Sequence, residues 1–164
     1  TTISSKSRFD NIVSERILEA RPDYIITTVH RIIPPWVLAK SPESFVNVHY
    51  SLLPAFAGLI GNKTVSEALA YGSHIMGATC HHVVERVDLG RPISQASFVI
   101  EQPHSIQEIQ ATVFYCGCLV LINAISPLTS RDIRDSSMTT IGGARVIYNG
   151  SERNGLFIAS AASG

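Results

Sequence analysis

Helical and extended periodicities alternate along the first part of this chain, and that alternation restricts the fold more than any other feature. Phe9, Ile12, Val13, Ile17 and Leu18 recur at helical spacing, and Asp10, Glu15, Arg16 and Glu19 fill the other side. They describe an amphipathic helix ending before Pro22. Tyr24–Thr28 is a short β-rich run, expected to be a buried strand. Pro34-Pro35 opens a short helix through Trp36, Val37 and Leu38, because proline fits a helix's first turn. Phe45–His49 is a second strand. Helix, strand, helix, strand is the pattern of an α/β fold with a parallel sheet.

The chain can support such a sheet. Its 164 residues suffice for one domain, and they are 45% hydrophobic but only 16% charged, which excludes wholesale disorder. Lys+Arg and Asp+Glu each number 13, so no basic excess points to nucleic acid. Three cysteines make an odd set, and Cys116 and Cys118 lie within an apolar run. A secreted disulfide scaffold is therefore not expected, and a reducing cytoplasm fits better. The apolar run Ala111–Ile125 falls short of the roughly 20 residues of a membrane span and reads as a buried helix.

Further along, Ser51–Asn62 is a loop with Pro54, Gly58 and Gly61, and Thr64–Tyr71 is one or two helical turns closed by Gly72. Ile75–Val84 and Ile93–Ile100 are strands on either side of a Val87–Pro92 loop. Ser105 and Glu108 form a capping box at the head of a helix reaching about Ile125. Ile141–Tyr148, then Asn149-Gly150 and Leu156–Ala159, suggest a terminal β-hairpin. Residues 1–130 thus form a core and residues 131–164 an extension. Sheets of this class usually open with a strand and a Gly-rich turn. This chain opens with a helix and with Thr1 rather than Met, which suggests a fragment or a processed chain. If early strands are absent, an unpaired edge should promote self-association.

The densest polar cluster is Asn47-Val48-His49-Tyr50-Ser51. Asn47 and His49 are two apart, so on a strand they share a face. At a parallel strand's carboxyl end, Asn can stabilise an oxyanion and His can move a proton. The same residues could equally cap a turn and fill a core. A second cluster, Thr79-Cys80-His81-His82, precedes Asp88 in a Gly-containing loop. His81 and His82 face opposite ways, so at most one can join His49. Asp88 is either a turn former or the third member of a site. No paired spacing of the C-x-x-C kind supports a metal. Cys116 and Cys118 lie about 200° apart on a helix and read as packing.

Asn47–Gly58, NVHYSLLPAFAG, resembles the N-x-H-x-S-L-L-P motif of the folate-dependent formyltransferases. Gly77–Gly90, GATCHHVVERVDLG, is similar to that family's G-x-T-x-H strand and the D-x-G loop after it. His30-Arg31-Ile32-Ile33-Pro34 looks like its pterin-side loop. The resemblance implies a partial Rossmann-like parallel sheet of the formyltransferase type. It implies catalytic roles for Asn47, His49 and Asp88, and supporting or binding roles for Arg31, Ile32, Ile33, Ser51 and His81. It also implies 10-formyltetrahydrofolate as formyl donor, no metal, and small-molecule partners without nucleic acid or membrane. The acceptor would be a small amine, or water in a deformylase. An inactive folate-binding module is the reading from another class. The chain departs from the family at Tyr50, where a Pro or small residue is commoner. It also has Ala57-Gly58 where the transfer-RNA branch carries R-G. GATCHHV and the late RVIYNG lean toward the deformylase branch.

Overall fold

The computed structural model describes residues 5–28, 31–100, 104–126 and 136–149. Helix α1 (Ser5–Ala20) leads to strand β1 (Ile25–Ile26), helix α2 (Pro35–Leu38) and strand β2 (Phe45–His49). Helix α3 (Asn62–Ala70), strands β3 (Ile75–His82) and β4 (Pro92–Val99) and helix α4 (Ile106–Ile125) follow. Strands β5 (Ser136–Ile141) and β6 (Ala144–Asn149) complete the described residues. The fold is α/β, as expected, and the strands join in one sheet ordered β1-β2-β3-β4-β6-β5.

The pairing corrects the expected parallel sheet. Only β1 and β2 run parallel, and every other pair in this sheet is antiparallel. Connection length accounts for two of the pairs, β1 with β2 and β3 with β4, whereas β2 and β3 are antiparallel although α3 lies between them. β1 reaches β2 through α2, whereas β3 returns to β4 through a short loop that permits only an antiparallel neighbour. The hairpin is also moved. Ile141–Tyr148 is not one strand: the chain reverses at Gly142-Gly143, whose φ values of +55° and +82° suit glycine. Asn149 belongs to β6, and Leu156–Ala159 lies outside the described residues.

Alternation along β2 assigns its residues to two cores. Val46 is fully buried among Val113, Cys116, Val120 and Ala78, on the face covered by α4. Phe45 points the other way and packs with Ile17, Ile33 and Val37, the core under α1 and α2. Helix α4 can lie close to β2 because residue 117 is glycine. A Cβ there would stand 2.8 Å from Tyr50 Cε1 and 3.2 Å from Val48 Cγ1. Its start is fixed by the expected capping box, with Ser105 and Glu108 bonding reciprocally. By length and composition α4 could span a membrane, but half of its apolar stretch is buried in this fold.

Candidate functional site

Asn47 and His49 share the face of β2 that carries Phe45, away from α4. The antiparallel ladder sets Asn47 opposite His81 and His49 opposite Thr79. Four polar side chains therefore meet on one patch of sheet, three of them buried: His49, Thr79 and His81. The register of β3 against β4 slips between Cys80 and His81, which places a bulge beside His81. Bulges re-aim side chains and concentrate near active sites. His82 faces the other way, as expected, and its Nδ1 donates to the Glu43 carbonyl at 3.0 Å.

Asp88 enters this patch from the loop after β3. Its Oδ2 lies 3.3 Å from His49 Nδ1, and its Oδ1 lies 3.7 Å from His81 Nε2. The Gly58 amide donates to the same Oδ2 at 2.8 Å. The backbone of Asp88 is left-handed, with φ +56°. Asp tolerates that region better than most residues, and such strain persists where the surroundings fix it. Gly90 keeps the loop tight, since a Cβ there would fall 1.6 Å from the His82 carbonyl oxygen.

His49 is held from its other side too. Its Nε2 is 3.0 Å from the Phe56 carbonyl oxygen, and Phe56 is also left-handed, with φ +58°. A carbonyl only accepts, so Nε2 carries a hydrogen. Both ring nitrogens then face acceptor oxygens. His81 differs. Its Nδ1 donates to the His82 carbonyl at 2.9 Å, and its buried Nε2 has no hydrogen-bond partner. Burial holds the His81 ring below its ordinary pKa, against the raising pull of the His82 carbonyl and Asp88.

The remaining expected site residues are dispersed. Arg31 is tied to α1: its Nη2 lies 2.6 Å from Asp10 Oδ1, and its guanidinium stacks 4.5 Å from the Phe9 ring centroid. Ile32 is exposed, whereas the Ile33 side chain is part of the core under α1 and α2. Ser51 is buried and donates to the Ala55 carbonyl, which shapes the loop after β2. His30 lies outside the described residues. Among the described residues, no three His, Cys, Asp or Glu side chains are grouped to hold a metal ion. The sequence reading missed Phe56, Gly58 and Gln95. The first two act through backbone atoms, which leave no side-chain signature. Gln95 on a strand looks like any solvated polar residue.

Residues 1–125 match the family described as "Formyl transferase". A formyltetrahydrofolate deformylase of Haemophilus influenzae is 33% identical over 99 residues, covering 60% of this chain and 34% of that protein. A methionyl-tRNA formyltransferase of Corynebacterium efficiens is 26% identical over 140 residues, 85% of this chain and 44% of its own length. Among solved structures, glycinamide ribonucleotide transformylase 1 from Symbiobacterium toebii superposes with a TM-score of 0.67 at 26% identity. That match covers 87% of this chain and 64% of the other. The chain spans less than half the length of these two curated relatives. With the motif residues of β2, β3 and the Asp88 loop gathered on one face, and the family match running over most of the sequence, the chain belongs to the formyl transferase family.

Proposed function

We propose that this chain carries the chemistry of formyl transfer from 10-formyltetrahydrofolate to a small amine. The observation that supports it most is the Asp88 carboxylate, held by a left-handed backbone between His49 and His81, with Asn47 the ladder partner of His81. The folate is a substrate here, and it supplies an activated formyl carbonyl. The unpartnered His81 Nε2 next to Asp88 Oδ1 fits a donor hydrogen from the attacking group. Exposed Val87 and Leu89, which flank Asp88 in the chain, offer apolar surface for the folate ring.

In this mechanism, amine attack on the formyl carbon yields a tetrahedral oxyanion. The Asn47 amide donates to it, a contribution of about 3 kcal/mol for one well-placed donor. His49 Nε2–H becomes a second donor when the substrate oxygen replaces the Phe56 carbonyl, while Asp88 orients the ring. The new C–N bond forms and the bond to the folate nitrogen breaks. The proton lost by the amine passes to Asp88 or His81, directly or through one water, and returns to that leaving nitrogen. The partners in this reading are small molecules, with no nucleic acid. Cys80, Cys116 and Cys118 are free thiols, and a cytoplasmic setting belongs to the same proposal.

A second reading has a specific support: the 33%-identical relative is a deformylase, in which water would be the acceptor. Loss of 10-formyltetrahydrofolate, followed with and without added amines, tests both. Amine-dependent loss supports transfer, and equal loss without amine establishes hydrolysis. Folate binding with no turnover under either condition would replace both with a binding module.

A further inference from the structure

His49, Thr79 and Gln95 form one row across three adjacent strands, because Thr79 is the ladder partner of His49 on one side and of Gln95 on the other. Thr79 is fully buried and its hydroxyl is saturated. It donates to the Ser51 carbonyl at 2.7 Å and accepts from the Leu53 amide at 3.0 Å and from Gln95 Nε2 at 3.0 Å. A hydroxyl has one hydrogen and two lone pairs, so each of its three bonds is used. Gln95 Nε2 also donates to the Leu53 carbonyl at 3.2 Å. Both polar groups of the Leu53 backbone are therefore tied to this row. The segment they hold leaves β2 directly after His49, passes through Ser51 and Leu53, and delivers the Phe56 carbonyl to His49 Nε2 and the Gly58 amide to Asp88.

We propose that Gln95 is a positioning residue for His49. Its amide orients the Thr79 hydroxyl, and together they fix where the loop carrying Phe56 and Gly58 returns to the imidazole. This rests on the reading of His49 as a catalytic side chain. The Thr79 hydrogen is committed to Ser51, so only a donor at position 95 can fill its remaining lone pair. Gln95→Met keeps the length of the side chain and removes the donor. Gln95→Glu keeps the shape and sets a carboxylate oxygen against two acceptors. In either variant the loop relaxes and His49 loses its fixed partner, although neither substitution touches His49.

The test uses the full 164-residue chain labelled with ¹⁵N-histidine, with the His49 ring nitrogens assigned by their loss in His49→Asn. Both position-95 variants should keep the circular dichroism of the parent and move the His49 Nε2 resonance. The kcat for formyl-donor turnover should fall by about 10- to 100-fold with KM little changed, the scale of a small misplacement in a reacting group. Unmoved His49 resonances in a folded variant would overturn the proposal whatever the turnover. Unfolding of both variants would make Gln95 a packing residue and overturn it as well. A parent chain without turnover whose His49 signals still respond to position 95 would sink the catalytic reading and leave the positioning intact.

Discussion

The two faces of β2 and β3 are built from alternate residues of the same two strands, and they have opposite chemistry. Val46, Val48, Ala78 and Cys80 face α4 and form a dry core. Asn47, His49, Thr79 and His81 face the other way and form a polar patch of which most is also buried. Burial alone therefore does not distinguish them. What differs is the partner each face meets. The apolar face meets a helix whose residue 117 is glycine, which allows close contact. The polar face meets two loops held by left-handed residues, Phe56 and Asp88. A strand can thus serve stability on one side and chemistry on the other with a period of two residues. Substitutions one position apart should then separate the two properties.

The largest separation is expected at the polar face. Asp88→Asn keeps the size of the side chain but removes the charge shared by His49 and His81. Formyl-donor turnover should fall by about 10²- to 10⁴-fold, the range of general acid–base assistance, with a melting temperature near that of the parent. A rate within a few-fold of the parent would remove Asp88 from the mechanism. Asn47→Ala is expected to cost about 10²- to 10³-fold, the loss of one oxyanion donor. Urea denaturation of this variant should give nearly the parent midpoint, because Asn47 is only partly buried.

One residue earlier the outcome should invert. Val46 is fully buried against α4, and Val46→Ala removes two methyl groups and leaves a cavity. The cost is about 2 kcal/mol in unfolding free energy, with kcat almost unchanged. If Val46→Ala slowed turnover as much as Asn47→Ala, the two faces would not be independent, and the division drawn here would fail.

Much of this division was legible in the sequence, and the failures have physical causes. The helix at Phe9–Leu18, the strand Phe45–His49 and the Ser105–Glu108 capping box each announce themselves through local periodicity or local bonding. Asn47 and His49 were placed on one face by spacing alone, and the family motif added Asp88. The short loop between β3 and β4 already implies their antiparallel pairing, but the direction of β2 against β3 is not legible, because alternation reports which side is buried and is silent on which way the neighbour runs. The turn was misplaced because Asn149-Gly150 has the composition of a tight turn. Asn149 instead uses its side chain as a clamp: its Oδ1 accepts from the Gln95 amide at 2.6 Å and from Ser94 Oγ at 3.0 Å. The Gly142-Gly143 reversal has equal composition and differs only in where pairing places it. Motif position likewise does not foretell that the Arg31 side chain pairs with Asp10 of α1 or that Ile33 packs into the core beneath it.

Smaller effects sharpen the same contrast. His81 belongs to the polar face, and burial lowers its pKa below the ordinary 6.5. The unfolded chain therefore takes up a proton on acidification before the folded one does. Its stabilising contribution is complete above about pH 6.5 and declines as pH falls toward the folded-state value. His81→Gln removes the titrating ring, so the decline in melting temperature between pH 7 and pH 5 should be shallower than in the parent. An identical slope in both proteins would mean that the acid sensitivity arises elsewhere.

The smallest effect concerns the apolar face and needs no substitution. Cys80 lies on β3 and Cys116 on α4, both fully buried in the same core, and burial pushes each thiol up to about 12. The thiolate is the reactive form, so at pH 8 each would be ionised to only about one part in ten thousand even if a reagent could reach it. Cys118 is half-buried on α4, two residues from Cys116. An aromatic disulfide reagent at pH 8 should therefore label one thiol per folded chain and, in guanidinium, all three cysteines of the sequence. The rates carry the information. Cys80 sits on the strand that presents His81 and Cys116 on the helix that covers it, so their labelling requires α4 to lift from the sheet. If the two buried thiols react together, at the rate of global unfolding measured by denaturant, the helix and the strand open as one unit. Reaction of Cys116 well before Cys80 would show α4 loosening while the strand stays paired, and the dry face would then be the less stable of the two.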